Sequence, residues 1–182
     1  MSGKNMDDRQ IIQEMRQSAS DGLRLLMAKY REPVYWHIRR LVVSHDDAQE
    51  AAQEAFVRIY RSFAQFRDDR SFRGWIFRIA TNEALRLVGS RRQDETSLDA
   101  DASRANQIES GSYIDYSDLE AVRLQKAILS LPTKQQLTFN LRYYDELSYD
   151  EIAEAIGSTA SAAKMNYHIA KEKIIKYMNS ND

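Results

Sequence analysis

The chain has 182 residues, 29% of them charged and 43% hydrophobic, with a formal net charge of −1. That length can hold one large or two small domains. The charge balance argues against a uniformly basic nucleic-acid binder, and the lack of any cysteine excludes disulfides and thiolate metal sites.

Apolar runs too short to cross a bilayer, and an N-terminus without a signal-peptide core, predict a cytoplasmic protein with no membrane insertion. Two prolines and six glycines leave helical periodicity dominant, so the predicted fold class is all-α. A first helix is predicted over about 7–17, ending near Ser18–Gly22. A second runs from Leu23 to about Val43, with a kink at Pro33. Asp46 can cap a third, in which Ala48, Ala51, Ala52, Ala55, Phe56, Ile59 and Tyr60 repeat at helical spacing. A loop over about 64–71 leads to a fourth helix from Phe72 to about Val88. Residues 93–117, "QDETSLDADASRANQIESGSYIDYS", are acidic and aperiodic, which is linker chemistry. Helical pattern resumes over 118–130, breaks at "LPTKQQ" and continues through 133–144. Two helical domains, 6–92 and 118–182, are therefore expected on either side of an acidic linker.

Within the second domain, "LSYDEIAEAIGSTASAAKMNYHIAKEKI" reads as helix–turn–helix. Ser148 and Glu151 form a capping box, Gly157 suits a left-handed helix end, and Ser158 or Thr159 can cap the next helix. In that helix Ala163, Tyr167, Ala170 and Ile174 make an inward stripe, and Ser161, Lys164, His168 and Lys171 face outward. Small, cationic and imidazole groups on one outward face suit a DNA major groove. An ordinary amphipathic pair with solvated lysines would show the same spacing.

Charge is unevenly placed. Residues 58–92 hold nine arginines against three acids, and residues 93–120 hold eight acids against one arginine. Inside the basic block, "FRDDRSFRGWIFRIATN" (66–82) sets Arg67, Arg70, Arg73 and Arg78 among Phe66, Phe72, Trp75 and Phe77. Arginines can track phosphates, aromatic faces can stack unpaired bases, and an amide such as Asn82 can read a base edge. The alternative is that Trp75, Phe77 and Ile79 are core, which is favoured for Trp75 and Ile79. The acidic linker could also lie over the basic block and compete with DNA, a contact-range effect in salt.

"DDAQEAAQEAFVRIYRSFAQF", "SFRGWIFRIATNEAL" and "LPTKQQLTFNLRYYDELSYDEIAEAIGSTASAAK" follow one another in this order. In that arrangement the chain resembles the extracytoplasmic-function (ECF) class of bacterial sigma factors, from about residue 7 to 178. The resemblance implies a dissociable RNA polymerase subunit with a region 2 bundle and a region 4 helix–turn–helix. It implies core polymerase as partner, through the clamp helices of the largest subunit and the flap, with promoter DNA and an anti-sigma factor besides. Asp46, Asp47, Glu50, Gln53 and Glu54 match the clamp-docking positions. Phe66 and Asn82 match those lining a pocket for a base flipped from the minus-ten element, with Arg67, Arg70, Arg73 and Arg78 on the backbone. The second helix of the helix–turn–helix would read the minus-thirty-five element. Two places depart from the family: "ALRLVGSRRQ" interrupts a usually basic run, and Asn166 and Ile169 stand where arginines are frequent.

A stand-alone helix–turn–helix regulator would leave the acidic 46–56 face unexplained, and a helical adaptor would use no DNA at all. Three scattered histidines (His37, His45, His168), no cysteine and no glycine-rich phosphate loop argue against an enzyme, and no cofactor, metal or small-molecule substrate is expected.

Overall fold

The computed structural model describes residues 6–94 and 117–180, with the side chains of 91–94 left aside. Eight α-helices are found there: α1 Asp8–Gln17, α2 Ala19–Val42, α3 His45–Ser62, α4 Phe72–Asp94, α5 Leu119–Leu129, α6 Thr133–Tyr143, α7 Tyr149–Ile156 and α8 Ala160–Asn179. A single 3₁₀ turn, Phe63–Gln65, follows α3. Most of the predicted linker lies outside the described residues, and so does any contact it makes with the basic block.

Local chemistry explains the helix ends. Asp7 caps α1 by accepting from the Arg9 N–H at 3.2 Å. The helix α2 begins four residues before the expected Leu23 because Gly22 is a packing position, not a stop. A Cβ there would overlap the Met15 backbone, so only glycine lets α2 cross α1 this closely. Pro33 is carried inside α2 with its ring exposed. Ser44, rather than Asp46, caps α3 by accepting from the Asp47 N–H. The helix α4 runs through Gly89 to Asp94, six residues past the expected end; a mid-helix glycine costs only about 1 kcal/mol.

The turn between α2 and α3 is unusual. Val43 has φ +68° and ψ −40°, and the Ser44 N–H donates to the Val42 carbonyl at 2.9 Å, which makes a γ-turn with a β-branched residue at positive φ. Such a conformation costs about 1–3 kcal/mol and persists only where its surroundings enforce it. Val43 is fully buried, and Ala121, Val122 and Leu129 of α5 pack against it.

That contact is one of several that join the two halves of the chain. The largest core cluster gathers Ile11, Leu26, Ile38, Ile59, Ile76 and Phe77 of the first four helices with Leu137, Leu141, Ile152, Ala155 and Ala163 of the last four and Leu147 of the turn before α7. A separate cluster of Ala127, Ile128, Leu131, Phe139, Ala170 and Ile174 stabilises α5, α6 and α8 against one another. Inside the first half, Glu83 is buried between Arg58 and Arg86, the latter at 3.0 Å, tying α3 to α4.

Because one core crosses the junction, damage on one side registers on the other. Ile152→Ala in α7 should cost about 2–5 kcal/mol. Both tryptophans, Trp36 and Trp75, lie in the first half, so their fluorescence should report a lowered melting temperature for this variant. An unmoved tryptophan transition would show that the halves unfold independently.

Candidate nucleic-acid interface

The arginines of α4 and the preceding loop do not stand free as a block. Arg67 is exposed, 3.6 Å from Asp69. Arg70 and Arg78 lie 3.7 and 3.9 Å from Glu154, and Arg73 lies 3.9 Å from Glu151 while donating to the Asp145 carbonyl oxygen. Arg58 and Arg86 are committed to Glu83. Much of the positive charge apparent in the sequence is thus balanced within the fold.

Phe66 is buried in the loop. Its ring is only 7% exposed and packs against Phe63, Phe72 and Trp75, with centroids 6.3, 5.2 and 5.1 Å away. It is a packing element of the loop, and a base could reach its face only after the loop had moved. Phe77 is core and Trp75 and Ile79 are half-buried, in keeping with the apolar reading of those positions. Asn82 is exposed, one turn along α4 from Arg78.

The helix–turn–helix is α7, a tight turn and α8. Ser148 Oγ accepts from the Glu151 N–H at 3.2 Å, and Glu151 accepts from the Ser148 N–H at 2.8 Å, completing the capping box. Gly157 has φ +63°, a conformation that favours glycine, and Thr159 caps α8 by accepting from the Ala162 N–H at 3.1 Å. On α8, Ala163, Ala170 and Ile174 are buried and Tyr167 half-buried, whereas Ser161, Lys164, His168 and Lys171 are all exposed. His168 Nε2 stands 3.3 Å from Glu172, and the Lys171 ammonium lies 5.7 Å from the Tyr167 ring centroid.

On α3, Asp46, Glu50 and Gln53 are exposed and Glu54 is half-buried, 3.5 Å from Arg58. Asp47 is 6% exposed, so it belongs to the packed side of α3 and not to the outward acidic face expected for it. Next to this face runs a groove of about 1640 Å³ between α2 and α3, lined by Met27, Tyr35, Trp36, Gln53, Phe56 and Tyr60 among others. Its aromatic lining was not singled out from the sequence, although Phe56 and Tyr60 stood in the helical repeat.

Comparison with known proteins decides what these surfaces belong to. Sigma-70 region 2 matches residues 26–94, and Sigma-70, region 4 matches residues 121–174. The RNA polymerase sigma-H factor of Pseudomonas aeruginosa is 30% identical over 178 residues, covering 93% of this chain and 92% of its own. The ECF RNA polymerase sigma-E factor of Escherichia coli K12 is 29% identical over 180 residues, covering 94% of each. The chain belongs to the ECF class of RNA polymerase sigma factors. It is an alternative sigma factor that initiates transcription.

Solved structures agree on the fold. CnrH in complex with the cytosolic domain of CnrY superposes with a TM-score of 0.71 at 19% identity, covering 96% of this chain and 99% of that one. The sigma factor RpoE in complex with the anti-sigma factor NepR, from Bartonella quintana, gives 0.62 at 17% identity, covering 83% and 92%. Among the described residues of this sigma factor no helix is long and apolar enough to cross a membrane.

The burial of Phe66 and the exposure of Asn82 set two opposite expectations. Phe66→Ala should lower stability by about 3–5 kcal/mol, as for a core phenylalanine. Asn82→Ala should stay within about 0.5 kcal/mol of the parent. Paired thermal melts test this; equal melting temperatures for the two variants would place Phe66 outside the packed cluster.

Proposed function

We propose that this sigma factor works in the cytoplasm by binding alone, with no catalytic chemistry of its own, and serves a stress- or signal-responsive set of promoters. Domain 6–92 would carry polymerase docking and the minus-ten element, and domain 118–182 the minus-thirty-five element, with 93–117 as tether. Core polymerase would seat on the exposed acids Asp46 and Glu50 of α3, with Gln53 and the half-buried Glu54, beside the aromatic groove. Asn82 and the arginines of α4 and the loop before it (Arg67, Arg70, Arg73, Arg78) would meet the minus-ten strand, with Phe66 shaping the loop from below.

The observation that carries the reading is the outward face of α8. Ser161, Lys164, His168 and Lys171 are exposed together on a doubly capped helix–turn–helix, the arrangement that places cations and a hydrogen-bonding ring against base edges. The neighbouring structures, solved as complexes with CnrY and with the anti-sigma factor NepR, support an anti-sigma partner for this chain as well.

Run-off transcription on a promoter library with core polymerase tests the whole reading, and a stand-alone regulator would give no transcripts. Two finer outcomes are expected. Asp46→Lys with Glu50→Lys should weaken competition for core polymerase without changing helicity, since both side chains are exposed; undiminished competition would move the docking surface elsewhere. Lys164→Ala and Lys171→Ala should each weaken duplex binding and reduce the slope of affinity against salt by about 1, whereas His168→Ala should alter preference among minus-thirty-five variants. Unchanged slopes and preferences would remove α8 from the DNA.

A further inference from the structure

The arginine face of α4 is already occupied, and its occupant is α7. Glu151 and Glu154, one helical turn apart, place their carboxylates 3.7–3.9 Å from Arg70, Arg73 and Arg78. Asp145, at the end of α6, adds its carbonyl oxygen to Arg73. The approach is close because α4 carries glycine where α7 crosses it: a Cβ on Gly74 would stand 2.9 Å from the Glu151 carbonyl oxygen and 2.9 Å from Glu154 Cβ. Beneath the charges, Ile152 and Ala155 of α7 share a core with Ile76 and Phe77 of α4. The DNA-facing side of α8 is turned elsewhere and remains exposed.

We propose that α7 is an internal competitor of single-stranded DNA: in the free protein Glu151 and Glu154 take the places that phosphates would occupy on Arg70, Arg73 and Arg78, and α7 must lift from α4 before promoter strands can bind there. This rests on the reading of the α4 arginines as a DNA surface. The competition is selective, because it closes the α4 face and leaves the α8 face open. Duplex contact through α8 is therefore available to the closed molecule, and strand capture is not.

Gly74 gives a test that leaves the arginines untouched. Gly74→Leu wedges the helices apart without changing any charge and removes a helix-destabilising glycine from α4. The double variant Gly74→Cys, Glu154→Cys does the reverse. The chain has no other cysteine, and the Cβ atoms need to part by only about 1 Å to reach disulfide geometry. Binding of the full chain to a fluorescein-labelled single-stranded oligodeoxynucleotide is read by anisotropy, duplex binding serves as the internal control, and small-angle scattering reports opening.

The wedge should bind the single strand at least tenfold tighter, because the buried core leaves fewer than about one parent molecule in ten open and the gain is the reciprocal of that fraction. The oxidised double variant should bind it more weakly than the same molecule after reduction, and dithiothreitol should restore binding, with duplex affinity unchanged throughout. If the wedge does not fold, the two redox states of the double variant still decide the matter within one molecule. Equal single-strand binding by both redox states, with Arg73→Ala and Arg78→Ala still weakening it, would overturn the competition and leave the DNA surface standing. Opening in the scattering without any gain in single-strand binding would overturn it by the other route, because the α4 face would not be a DNA surface.

Discussion

The arrangement of the two halves depends on a buried carboxylate. Asp145 sits at the end of α6 with its side chain 4% exposed, 3.5 Å from the Arg40 guanidinium and 3.4 Å from His37 Nδ1. A carboxylate removed from water to this extent costs several kcal/mol unless it is compensated. Part of the compensation comes from α2, across the junction: Arg40 donates to Oδ1, while Oδ2 has no hydrogen-bond partner among the described residues. His37 is fixed from its other side by Thr81, with Nε2 2.8 Å from the hydroxyl. Arg40 lies over the Tyr144 ring, 4.2 Å from its centroid, and Tyr144 accepts from the Gln125 side chain at 2.9 Å. Burial pushes the Tyr144 hydroxyl above its usual pKa, against the opposing pull of Arg40, so the ring remains neutral where it receives the guanidinium. A chain of polar contacts thus runs from α5 through α6 to α2 and α4. Sliding one half over the other would strand Asp145.

Charge orients this junction more than it binds it. The arginine–glutamate pairs that join α7 to α4 and the loop before it are long and partly exposed, with the glutamate side chains 22–25% accessible. Pairs in such surroundings contribute about 0–1 kcal/mol each. Fully burying one isoleucine contributes about 1.5–3 kcal/mol, and Ile152 is only one of the apolar side chains in the common core. The apolar contacts therefore hold α7 in place. The acids decide which surface it covers, since an arginine-rich face would otherwise be a poor neighbour for a packed helix.

The features legible in the sequence were those with local causes. The capping box at Ser148 and Glu151, the left-handed Gly157 and the outward spacing of Ser161, Lys164, His168 and Lys171 each depend on residues a few positions apart, and periodicity carries that information. Of the two possible caps for α8, Thr159 is the one used. The features that escaped have distant causes. Asp47 and Phe66 stand at positions that could face either way, and their burial is set by packing partners elsewhere in the chain. Glu151 and Glu154 read as the acids of a helix start, which Glu151 also is; nothing in their spacing reveals that α4 lies opposite. Helical spacing identifies a face without identifying what covers it. Likewise Gly22 looked like a stop, while the structure shows it as the point where two helices touch.

The mainly apolar character of the junction has a thermal consequence. Hydrophobic association is driven largely by entropy near room temperature and weakens on cooling, whereas screened surface ion pairs have no comparable dependence. The grip of α7 on α4 therefore weakens as temperature falls. On cooling, the fraction of free protein with an uncovered arginine face would rise through the properties of water alone, without a dedicated sensor.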